Sequence, residues 1–185
     1  MAERHGDLQA LVVIECDLAQ LECDGGHPER ARDRLTTFLA GASRGAATEN
    51  AAWGMPVWSQ LAEAHLALGE VEEAERIAAH GAEQALAARE QLRYVPALIA
   101  GGAALGRRGC WDEAATCLEE STRLAHAMPY PLLEARALQA RGSVASRQGD
   151  PQVAGRYLQS ALAIARRIGA RILAGQIEVV LRHLS

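Results

Sequence analysis

The chain contains no lysine: all 19 of its basic residues are arginine. Any chemistry that needs a side-chain amine is therefore absent, including the lysine that a phosphate-binding loop presents to a nucleotide, and no Walker-type ATPase is encoded. An arginine-only set is the usual product of a GC-rich genome. Aromatic residues make up only 4% of the sequence, so the core must be built from small aliphatic side chains, which suits helix packed on helix. No apolar run approaches the roughly 18 residues needed to span a bilayer. No His-x3-His or Cys-x2-Cys pair is present to hold a metal. The four cysteines fall as Cys16/Cys23 and Cys110/Cys117, each pair seven apart. That spacing covers about 10 Å of helix, too far for a disulfide within a pair. Without a signal peptide, these thiols read as reduced and the protein as cytoplasmic.

What is present is enough to fold. The 185 residues are 49% hydrophobic, which is inconsistent with disorder. The formal charge of −4 conceals an asymmetry: residues 1–92 hold 16 acidic and 7 basic residues, and residues 93–185 hold 7 acidic and 12 basic. The basic half would steer an acidic partner, while the overall negative charge disfavours nucleic acid.

The organising feature is a repeat. Gly109-Cys110-Trp111-Asp112-Glu113-Ala114-Ala115 is a tight turn feeding a helix; Gly69-Glu70-Val71-Glu72-Glu73-Ala74-Glu75 stands forty residues before it, and Gly149-Asp150-Pro151-Gln152-Val153-Ala154-Gly155 forty residues after. Small residues keep the same register, as Gly102 and Ala114 do in one copy and Gly142 and Ala154 in the next. Two helices of a hairpin approach closely only where one side chain is nearly absent. The spacing predicts helix hairpins over about 8–40, 56–89, 95–127 and 132–167, a last helix over 170–184, and a non-periodic connection at 41–55 that is a candidate hinge. In the first helix Leu11, Ile14, Leu18 and Leu21 form the expected core stripe. In the last, Ile172, Leu173, Ile177, Val180 and Leu181 share the expected packed face, with Arg171, Glu178 and Arg182 elsewhere.

Trp58, Leu61, Ala62 and His65, followed by Ala74 and Ala78, resemble the W-x2-L-G-x2-Y and A-x3-F signatures of the tetratricopeptide repeat, with His65 a packed residue in the tyrosine position. The period of 40 exceeds the usual 34. Such long repeats resemble the superhelical regions of large bacterial LuxR-type ATP-binding regulators and of ATPase-linked cyclases, as do the segments 124–137 and 161–171. The resemblance covers residues 57–184. It implies an all-α fold, a right-handed α-solenoid of about four hairpins plus a C-terminal capping helix, forming one domain over 1–185.

The resemblance also implies a function: a non-catalytic protein–protein interaction scaffold, with a regulatory or sensor role, that takes a peptide or partner domain in a concave groove. The groove-facing positions carried over from the family are Gln60, Glu63, Arg107, Arg136, Gln139 and Arg147, with Gln20 and Ser143 beside them. The arginines suit a carboxylate or phosphate through forked hydrogen bonds. The lysine and asparagine clamp of chaperone-binding members has no counterpart here. The alternative is a small-molecule effector domain of a bacterial transcriptional regulator, with a pocket at Gly101, Gly102 and Ala103. No catalytic residue, metal or cofactor is expected, and the expected partner is a protein or peptide, such as another domain of the same regulator.

Overall fold

A computed structural model describes residues 2–44 and 55–184. Among the described residues the chain is helical without strands: α1 (Ala2–Asp24), α2 (Pro28–Arg44), α3 (Met55–Leu68), α4 (Val71–Ala87), α5 (Gln91–Arg108), α6 (Trp111–Ala127), α7 (Pro131–Gln148), α8 (Pro151–Arg167) and α9 (Arg171–His183). The proposed hinge lies mostly outside the described residues, although Gly41–Arg44 prolong α2 and Met55 opens α3. The molecule divides into two compact units, Met1–Ala97 and Leu98–Ser185, with the division falling inside α5.

The forty-residue turn has one geometry throughout. Gly69, Gly109 and Gly149 close their helices in the left-handed conformation at φ +81°, +80° and +87°, and Gly26 does the same at +80° after α1. Around Gly149 the amide donates to the Ser146 carbonyl and the following Asp150 amide to the Ala145 carbonyl. These bonds satisfy the helix's last carbonyls, and the conformation penalises any residue with a Cβ. Asp150 then caps α8 by accepting from the Val153 amide at 2.9 Å. Gly26 thus marks an additional copy of the turn, at a spacing of 43 instead of 40.

Second helices end differently. Gly169 follows α8 in the left-handed conformation, Pro129 occupies the equivalent place forty residues earlier, and Arg89 occupies it after α4 at φ +58°. Arg89 is exposed and carries the steric penalty of that conformation. Arg89→Gly is expected to stabilise the chain by about 0.5–1 kcal/mol, raising the melting temperature by about 2–4 °C in a thermal unfolding scan. An unchanged or lowered melting temperature would show that strain at this turn is relieved elsewhere.

Packing within a hairpin follows the small residues. A Cβ on Gly102 of α5 would stand 2.6 Å from Leu118 Cγ of α6, and one on Gly142 of α7 would stand 2.5 Å from Leu158 Cγ of α8. At the same register in α3 and α4 sit Ala62 and Ala78, both buried. An absent side chain facing leucine in two hairpins is thus replaced by two alanines in the third.

Two expected faces are corrected. In α1 the stripe of Leu11, Ile14, Leu18 and Leu21 is exposed, and the helix buries Val12 and Ala19 instead. The helix is apolar on more than one side, and α2 and α3 cover only the side bearing the smaller residues. In α9, Leu173, Ala174 and Ile177 are buried while Ile172 is 56% exposed.

Candidate functional site

First helices of successive hairpins touch one another inside each unit. In the N-terminal unit α1 contacts α3. In the C-terminal unit α7 contacts α9, and α5 meets α7 where a Cβ on Gly106 would come 2.5 Å from Val144 Cγ2. A face of adjacent first helices therefore exists in each unit, and the candidate residues divide between the two.

Gln60 and Glu63 are half-buried on α3 in the N-terminal unit. Glu63 stands close enough to Cys23 of α1 for its charge to push the thiol up, although burial contributes more; together with Asp24, Glu22 and Glu29 they raise Cys23 to about 11. Burial raises Cys16 further, to about 12, with Asp17 and Glu15 adding to it against the opposing charge of Arg93. These thiols stay protonated at neutral pH and are poor nucleophiles. His65 is buried and its Nδ1 lies 2.5 Å from Glu70, whose other oxygen accepts from Arg32 of α2 at 3.2 Å. This is a structural tie between hairpins. A tie within the first hairpin, missed in the sequence, is Arg34 of α2, which bonds Glu22 at 2.8 Å and Glu15 at 3.1 Å on α1. Those bonds pull the Glu22 carboxyl below its usual range.

Arg107, Arg136, Gln139 and Arg147 belong to the C-terminal unit. On α7, Arg136, Gln139, Ser143 and Arg147 follow the helical 3-4-4 spacing, so they share one stripe; the first three are half-buried and Arg147 is exposed. Arg107 projects from the last turn of α5. Desolvation lowers its guanidinium below the ordinary value, and the like charge of Arg147 lowers it further, so the two cations lie within electrostatic reach across the α5/α7 contact. They are one period apart, as neighbours on adjacent first helices of a repeat stack should be. Arg141, one turn from the stripe, is turned away: it donates to the Tyr157 hydroxyl at 2.7 Å and stacks 4.3 Å from that ring's centre.

The pocket anticipated at Gly101–Ala103 is not open at its centre, because Leu118 fills the space over Gly102. Among the described residues no group of three or more His, Cys, Asp or Glu side chains converges to hold a metal ion. None of the described helices is long and apolar enough to cross a membrane.

A tetratricopeptide repeat family model matches residues 97–167. Comparison with curated proteins finds no match. Among solved structures, the chain is similar to kinesin light chain-type TPR-like repeats of Podosopora anserina (TM-score 0.63, 16% identity, 95% of each chain). It is also similar to BtubC of P. vanneervenii (TM-score 0.64, 13% identity, 96% of this chain and 80% of that one). A third likeness is to a STAND signal-transduction ATPase with a tetratricopeptide repeat sensor from Pyrococcus horikoshii (TM-score 0.57, 20% identity), where 96% of this chain matches 28% of that much longer one. Proteins of this fold generally mediate protein–protein interactions and are typically non-catalytic. The match to the tetratricopeptide repeat model over residues 97–167 and the likeness of the whole chain to these structures give it a TPR-like α-solenoid fold.

Proposed function

We propose that this chain is a non-catalytic docking scaffold of a bacterial regulatory system, working in the cytoplasm, whose C-terminal unit takes an acidic segment of a partner protein on its face of first helices. Arg107 and Arg147 are the anchors, with Arg136 and Gln139 alongside on the same face. Gln60 and Glu63 serve the corresponding face of the N-terminal unit. The observation that supports this reading is the crowding of the Arg107 and Arg147 cations on adjacent helices. Two guanidinium forks placed one period apart on adjacent helices suit carboxylates geometrically.

The test is fluorescence anisotropy of a labelled polyglutamate peptide at low salt. Binding to the native chain is expected at about 10–100 μM, weakening as salt rises. Arg107→Glu with Arg147→Glu should lower the affinity at least about 30-fold through like-charge repulsion, with helicity unchanged because both residues are exposed. Equal affinity of the double variant and the native chain would sink the assignment of these arginines.

A further inference from the structure

The first and last described helices, α1 and α9, each leave an apolar stripe exposed, and the two stripes are complementary. On α1, Leu11, Ile14, Leu18 and Leu21 are 38–59% exposed at spacings of three, four and three, the seam spacing of paired helices. The left-handed turn glycine fixes what this face corresponds to. Leu21 lies five residues before Gly26, as Val144 lies five before Gly149, and Val144 packs its first helix on the preceding one at Gly106. Leu21 therefore occupies the register at which a first helix meets the one before it.

On α9 the exposed residues without a polar side chain are Ile172, Gly175 and Val179, at spacings of three and four. Forty residues earlier stand Leu132 and Ala135, which pack into the cluster containing Leu173, Ala174 and Ile177 of α9. Ile172 and Gly175 thus occupy the register that meets the next repeat. A Cβ on Gly175 would touch nothing, so the helix has an open dent between its two branched side chains.

Charge decides which faces pair. Asp17 and Asp24 flank the α1 seam on one side and Glu15 and Glu22 on the other, the glutamates held by Arg34. Arg171 and Arg182 lie next to the α9 stripe, and Glu178 is engaged by Arg166 at 2.8 Å. Pairing α1 with α1 opposes carboxylates, and pairing α9 with α9 opposes guanidiniums. We propose that a second copy of this chain docks end to end, the α9 face of one molecule on the α1 face of the next, continuing the repeat stack between molecules. This contact is independent of the arginine face proposed above and leaves it available. It is heterologous, so each added copy carries a fresh α1 or α9 face to the end.

One helix pair buries less than the roughly 1,200–2,000 Å² of a stable interface, so the dissociation constant should be near about 100 μM. Sedimentation velocity of the full chain at low salt, from about 10 μM to about 1 mM, should show the weight-average mass rising at least about twofold and falling back at high salt. Leu18→Glu and Val179→Glu, both at exposed positions, should each leave a monomer. Mixing the two variants should yield a 1:1 dimer that grows no further, because one retains a working α9 face and the other a working α1 face. Asp17→Arg provides a second α1 variant that leaves the apolar seam intact, and it should weaken the association about fivefold or more. A native chain that stays monomeric throughout the series overturns the proposal. So does a Val179→Glu variant that still dimerises, which would mean α1 pairs with itself, and so does a mixture that remains monomeric.

Discussion

Leu158→Ala is expected to destabilise the protein by about 3–4 kcal/mol, and the same change should reverse the effect of a substitution on the facing helix. Leu158 is completely buried within the cluster of Ala135, Ala161, Ala165, Leu173, Ala174 and Ile177. Its neighbours are mostly alanines, which have no freedom to fill the void, so the full cavity cost should appear. Gly142 faces it. In the native background Gly142→Ala drives a Cβ to 2.5 Å from Leu158 Cγ and 2.9 Å from Cδ2, with the Ala154 carbonyl at 3.2 Å on another side. Overpacking of that kind costs about 1–3 kcal/mol, against about 1 kcal/mol gained in helix propensity, so the net should be a loss of up to about 2 kcal/mol. With Leu158 already shortened its clash disappears and only the approach to the Ala154 carbonyl remains, so Gly142→Ala should then stabilise by up to about 1 kcal/mol, a coupling of about 1–3 kcal/mol in a denaturation double-mutant cycle. Gly155 of α8, where a Cβ would meet nothing, is the control: Gly155→Ala should stabilise in either background. If Gly142→Ala costs the same with and without Leu158, close approach of these helices is not what places glycine there.

That coupling also explains why the repeat was legible. A glycine that accepts a neighbouring helix and a glycine that supplies a left-handed turn are backbone requirements, so Gly102, Gly142, Gly109 and Gly149 recur at fixed spacing whatever surrounds them. The faces of the terminal helices were harder to read. In α1, Leu11, Ile14, Leu18 and Leu21 make a better stripe than Val12 and Ala19, yet the smaller residues are the buried ones. Periodicity finds an apolar face but does not say which of two such faces has a neighbour. Ile172 and Leu173 show the same ambiguity one residue apart. The arginine pair is intermediate. The forty-residue period alone places Arg107 and Arg147 on equivalent points of consecutive first helices, but their mutual electrostatic effect needed the α5/α7 packing. Gln60 and Glu63 read in sequence as members of the same groove as the arginines; they lie in the N-terminal compact unit and the arginines in the C-terminal one.

Ile177→Asp is expected to detach α9 while the N-terminal unit stays folded. Ile177 is completely buried and is the largest fully buried side chain that α9 contributes to its cluster. Placing a carboxylate there adds the cost of an unpaired buried charge to the lost apolar contacts, together at least about 4 kcal/mol. In most globular domains a penalty of that size threatens the whole cooperative structure. In a stack whose elements hold only their neighbours, the chain has a cheaper response, which is to release the end helix and hydrate the new carboxylate. The penalty is then limited to the docking free energy of α9, whose contacts run to α8 and α7. Hydrogen exchange by mass spectrometry should show the 13 residues of α9 losing protection, with α8 partly following because Leu158, Ala161 and Ala165 become uncovered, while α1–α4 exchange as in the native chain. Helical circular dichroism should fall by about the contribution of one helix. Loss of protection spread evenly from α1 to α9 would mean that the chain unfolds as one cooperative body, and the nearest-neighbour description of its stability would fail with it.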